Sequence, residues 1–82
     1  MNKLDCYREK IDVIDKSIVR FLLARFKLVQ QIAVYKKENK IRLVDKKREH
    51  QVINKIEKYK KHQKFFKKIF GEIIDYSRKI QK

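Results

Sequence analysis

Eighty-two residues allow one small domain, residues 1–82, near the size at which a single chain struggles to bury enough surface on its own. With 43% hydrophobic residues, no proline and one glycine, the composition favours long helices and argues against turn-rich β folds. Twenty-four Lys and Arg against ten Asp and Glu give a formal charge of +14, a surface that draws nucleic acid, acidic lipid or a small polyanionic metabolite.

The opening MNKLDCYREK carries no apolar leader segment. Cys6 within it stands alone, so no disulfide framework exists and a reducing, cytoplasmic setting is expected. No apolar run approaches transmembrane length, and no membrane partner is expected. Helical spacing begins at once. Leu4, Tyr7, Ile11, Ile14, Ile18 and Phe21 alternate steps of three and four, and the beat continues through Leu28, Ile32 and Tyr35. A first helix is predicted from about Leu4 to about Lys37, opening near Asp5 and ending at Glu38-Asn39. At ~1.5 Å per residue it spans roughly 50 Å, too long to be covered within a compact chain of this size.

The stretch KIRLV, residues 40–44, reads as a loop. Asp45 is a good N-cap for a second helix over DKKREHQVINKIEKYKK, residues 45–61, with Arg48, Glu49, Val52, Ile53, Ile56 and Tyr59 facing inward. The apolar pattern lapses over Lys60 to Lys64. A third helix follows, with Phe66, Ile69, Phe70, Ile73, Ser77, Ile80 and Gln81 on one face. Gly71 inside it costs ~1 kcal/mol relative to alanine and marks an expected close contact with another helix.

Polar groups interrupt these apolar faces in a pattern. Arg25 falls where the beat of the first helix calls for a buried residue, and Lys36, eleven residues on, lies only about 20° round the helix from it. Arg48 and Glu49 open the inner face of the second helix, and Ser77 and Gln81 close that of the third. One such arginine is an ordinary rim residue with its stem buried and its head in water. Six intrusions on three helices are a constellation. Only Glu49 and Asp45 could answer three inward cations, and unpaired buried charge costs several kcal/mol. The surplus points to an anionic ligand. Arg8 lies 17 residues before Arg25, about 25 Å away along the same helix, so no metabolite-sized ligand touches both within one chain.

The ordered set L4-D-x-x-R8-x-x-I11-D-x-I14-D15, L22-L-x-R25, I32-A-x-Y35-K36, D45-x-x-R48-E49 and I69-F70-x-x-I73-I74-x-x-S77-x-x-x-Q81 resembles the all-helical, type II chorismate mutases. The resemblance runs from Leu4 to Gln81. It implies an all-α, three-helix chain with a very long first helix, intertwined with a second copy as a homodimeric helical bundle. It also implies chorismate as substrate and prephenate as product, on the route to phenylalanine and tyrosine. Arg25, Lys36 and Arg48 would engage the two substrate carboxylates, joined by Arg8 from the other chain. Lys36 and Gln81 would reach the ether oxygen, Glu49 and the backbone at Asp45 the ring hydroxyl, and Ser77 a carboxylate. No cofactor or metal is implied. Tyr7 departs from the family, which has an aliphatic residue there, and the link between the second and third helices is a few residues short.

Three other readings compete. Isochorismate pyruvate-lyase shares the fold and much of the site, although Gln81 favours the mutase. A nucleic-acid-binding module would cluster its basic groups on an outer face, whereas three of the six arginines lie inward here. A pure dimerisation module gives no reason for Ser77 and Gln81 on an apolar stripe. His50 and His62 lack partners at metal-ligand spacing and read as surface residues. No Gly-rich phosphate loop or Ser/His/Asp set is present.

Overall fold

The computed structural model describes residues 2–81, which form three α-helices: α1, Lys3–Glu38; α2, Lys46–Ile56; and α3, Gln63–Ile80. A single 3-10 turn, Lys60–His62, leads into α3, and there is no strand among the described residues. The all-helical fold class with a long first helix matches the expectation from sequence.

α1 starts at Lys3, one residue before the predicted Leu4. Asn2 is the N-cap, its side-chain oxygen accepting the Asp5 N–H at 2.8 Å, and Asp5 sits in the first turn, where its charge complements the helix dipole. At the other end the stop is well defined. The Ile41 N–H donates to the Lys36 carbonyl at 2.7 Å and the Lys40 N–H to the Lys37 carbonyl at 3.3 Å, the paired bonds of a Schellman cap. Lys40 supplies the left-handed residue this motif needs, at φ 55°, where glycine is the usual occupant.

Asp45 caps α2 as predicted, accepting the Arg48 N–H at 3.0 Å. The helix ends at Ile56, five residues short of the predicted Lys61. Periodicity carries Tyr59 on as a further inward residue, but tertiary packing takes over first. Tyr59 leaves the helix to meet Phe66 edge-on, with ring centroids 5.7 Å apart, and the 3-10 turn swings the chain into α3. The Lys67–Glu57 ion pair across this corner, at 3.1 Å, is well solvated and contributes little. Gly71 is a second correction. A Cβ placed there meets nothing within 4 Å, so no close helix contact in this chain explains the glycine.

α3 packs against both α1 and α2. It covers only the C-terminal half of α1, where Phe26 meets Tyr76 edge-on at 4.9 Å between centroids. The N-terminal half leaves its apolar stripe open: Leu4, Tyr7, Ile11, Ile14, Ile18 and Phe21 are 50–76% exposed. The buried apolar residues among those described are just Ala33 and Ile56. The chain measures 57 × 26 × 15 Å with a radius of gyration of 16.5 Å. A compact domain of this length would have a radius of about 12 Å. No helix among the described residues is long and apolar enough to cross a membrane.

Candidate active site

The three helices converge on a groove of about 300 Å³, at the small end of the range for metabolite sites. Its apolar wall comes mainly from Leu28, Val29 and Ile32 of α1, Val52 of α2 and Ile74 of α3. Its polar lining includes Arg25, Lys36, Asp45, Arg48, Glu49, Ser77 and Gln81, which is every residue predicted for the site except Arg8. Arg8 is exposed on the uncovered half of α1 and lines none of this groove.

Arg25 is held from α3. Its guanidinium donates to Ser77 Oγ at 2.8 Å, and the Ser77 hydroxyl donates in turn to the Ile73 carbonyl at 2.7 Å. Ser77 is 5% exposed, so this buried hydroxyl has both its donor and an acceptor position in use. Donating to a ligand carboxylate would require turning that O–H away from Ile73. Burial, and then the charge of Arg48, pull the Arg25 pKa below the ordinary guanidinium value. The two arginines thus lie close enough for their charges to repel. Arg48 is more solvated than its inward position in the sequence pattern implied.

Lys36 is placed by the last turn of α1 and by the loop that follows. Its ammonium donates to the Leu43 carbonyl at 3.0 Å, leaving two of three protons for a ligand. Asp45 commits a carboxylate oxygen to the α2 cap, which fixes the first turn of α2 and with it Arg48 and Glu49. Gln81 follows the last residue of α3, its backbone N–H bonded to the Arg78 carbonyl at 3.3 Å.

The salt bridges among the described residues are Lys67–Glu57 and Arg78–Glu49. Arg25, Lys36 and Arg48 therefore converge on the groove with no carboxylate of the described residues in ion-pairing range. Glu49 is occupied by Arg78, a residue the sequence reading did not select. Arg78 Nε donates to one carboxylate oxygen at 2.8 Å and its terminal nitrogen to the other at 2.5 Å, a two-point fork. These hydrogen bonds hold the Glu49 carboxyl below the usual carboxylate range, against burial, with the charges of Arg78, His50 and Lys46 adding to the effect. The sign follows directly. A depressed folded-state pKa stabilises the fold above the ordinary glutamate value of about 4.3, and the contribution disappears as pH falls through the lower folded value. A signal for Arg78 was present in the sequence. Ile74, Ser77, Arg78 and Gln81 stand at spacings of three, four and seven, one face of a helix.

The sequence model for chorismate mutase type II matches residues 7–82. The chain belongs to the type II chorismate mutase family. No curated protein and no solved structure matches it in the corresponding comparisons. For this member of the type II chorismate mutases, the matched span contains α2, α3, all of α1 after its first four residues, and every groove residue described above. Family membership supports chorismate mutase activity in general terms. No group of His, Cys, Asp and Glu able to hold a metal occurs among the described residues.

Proposed function

We propose that this chain is a chorismate mutase, converting chorismate to prephenate without a cofactor. One observation carries the reading: Arg25, Lys36 and Arg48 line one groove, unpaired, beside an apolar wall of metabolite size. That is a receptor for a small apolar dianion. The rearrangement breaks the ether C–O bond and forms a C–C bond within one molecule, so it needs no nucleophile, redox partner or net proton transfer. The protein's tasks are to hold a flexible substrate in a chair-like conformer and to stabilise negative charge growing on the ether oxygen. Arg25 and Arg48 suit the first task as planar, multidentate donors to carboxylates, with Ser77 setting the angle of Arg25. Lys36 and Gln81 suit the second. Glu49 and the backbone at Asp45 take the ring hydroxyl.

The active form in this reading is a homodimer in which Arg8 of one chain completes the groove of the other. The uncovered apolar stripe of α1 supports it, because burying a large apolar side chain gains about 1.5–3 kcal/mol and the stripe holds six. Within one chain so small a core is poorly matched to the ~1–2 kcal/mol per residue that ordering the backbone costs. Sedimentation at micromolar concentration is expected to give about twice the 10.1 kDa chain mass, with folding and association lost together on dilution. A stable, active monomer would refute this part of the reading.

The direct test of activity is loss of chorismate absorbance on addition of the purified chain, with prephenate as the product. No turnover at micromolar enzyme would sink the proposal. Net charge is separated from site charge by Lys60, Lys61 and Lys64, which lie outside the groove. Replacing all three with Gln is expected to leave kcat nearly unchanged and to reduce only a salt-sensitive part of substrate capture. Tight nucleic-acid binding abolished by that same triple change would favour the binding-module reading instead.

A further inference from the structure

Glu49 presents a problem for a dianion site. A carboxylate in the groove wall repels a doubly negative ligand, yet an ionised carboxylate is the acceptor a ring hydroxyl calls for. Neither Arg25, Lys36 nor Arg48 neutralises it, because none is within ion-pairing range. Arg78 does, from the last turn of α3, through both carboxylate oxygens at once. The pair is part of the groove wall, and its far side borders a second hollow lined by His50, Asn54, Gly71 and Asp75.

The contact does two separable things. Its fork geometry fixes the plane of the Glu49 carboxylate, since two parallel N–H···O bonds leave no free rotation about the terminal torsion. Each oxygen still has acceptor capacity for a hydroxyl. Its charge offsets that of Glu49, so the groove presents an acceptor of known orientation without a net negative charge. The same bonds keep the carboxyl ionised, in line with its depressed pKa. Asp75 lies close enough to Arg78 to favour the guanidinium's charged form from the outer side.

We propose that Arg78 is a positioning and charge-neutralising residue for the substrate: acting through Glu49, it aims that carboxylate at the ring hydroxyl and cancels its repulsion of the dianion. This inference rests on the chorismate reading above. It predicts that Arg78 matters because Glu49 is charged, and matters little once that charge is removed.

The test is a kinetic double-mutant cycle on the full chain with chorismate as substrate. Arg78→Met is expected to raise KM by about tenfold, while kcat changes by less, because the repulsion it uncovers acts on bound substrate and transition state alike. Arg78→Lys, a point charge without the fork, is expected to recover part of the loss. In a Glu49→Gln background, adding Arg78→Met is expected to change KM by less than about twofold, since a neutral amide needs no counter-ion. Should Arg78→Met fail to fold, Arg78→Gln takes its place in the same cycle. Equal KM penalties for the Arg78 change in both backgrounds overturn the proposal. So does a fall in thermal stability or active fraction with KM unmoved, the signature of a purely structural ion pair. Absence of turnover by the wild-type chain is a different result, and it counts against the chorismate reading itself.

Discussion

Lys36→Ala is expected to lower kcat by a factor of at least about 10² to 10³, roughly 2.7 to 4 kcal/mol, with a smaller effect on substrate binding. The argument starts from where charge appears. In the bound substrate the ether oxygen is nearly neutral, and it becomes negative only as its C–O bond stretches. A donor aimed at that oxygen is therefore stronger in the transition state than in the ground state, the condition for an effect on kcat. Among the described residues Lys36 is the one ammonium lining the groove, and its hydrogen bond to the Leu43 carbonyl occupies a single proton. Alanine removes a charge as well as a donor, so the loss lies at or above the value typical for one neutral donor. It also releases the loop at Leu43, so kcat is to be compared after the folded fraction has been measured by circular dichroism. Activity within a few-fold of wild type at full folding would remove Lys36 from the chemistry.

Mixing two inactive variants is expected to restore activity. Arg8→Ala and Arg25→Ala should each lower kcat/KM by at least about 30-fold, since in the proposed site each would remove a charge partner of a substrate carboxylate. Arg8 and Arg25 stand 17 residues apart on one continuous helix, about 25 Å at helical rise. If Arg8 serves the partner's groove, a heterodimer of the two variants has one groove with both arginines and one with neither. Random exchange makes half of the dimers mixed, so roughly a quarter of wild-type activity returns. The check is an activity time course after mixing, with exchange followed independently by mass spectrometry of differently tagged chains. Proven exchange without recovery would place Arg8 outside the partner's site.

Much of the groove was legible because polar residues broke an otherwise regular apolar period. Arg25, Lys36, Ser77 and Gln81 could be selected by spacing alone, whereas capping chemistry marked Asp45 only as a helix start and the family resemblance brought it to the site. The helix ends were legible where a cap or a stop marked them, as at Asp45 and Asn39. They were not legible at Ile56, because the 3.6-residue period runs on to Tyr59 and only the packing of Tyr59 on Phe66 says the helix has ended. Gly71 misled for the opposite reason: composition assigns it a cost but does not show whether a neighbour exists. Arg78 was overlooked because an arginine beside Ser77 reads as a solvent-facing residue. Its role is set by Glu49, 29 positions earlier, and only the packing of α2 against α3 brings the two together.

If Lys36 serves the proposed reaction, the loop after α1 ties that reaction to the folding equilibrium. Lys36 is gripped at both ends, its carbonyl by the Ile41 N–H and its ammonium by the Leu43 carbonyl. A lysine side chain free in solution carries about 2 kcal/mol of rotamer entropy, and the hydrogen bond to Leu43 removes part of that freedom before a ligand arrives. Binding is therefore relieved of freezing that part. The cost has moved to folding, where the left-handed backbone at Lys40 adds about 1–2 kcal/mol of its own. Stabilities of only ~0.05–0.15 kcal/mol per residue leave little margin for both. A sharper donor and a sturdier chain therefore make opposite demands on the same eight residues, 36–43.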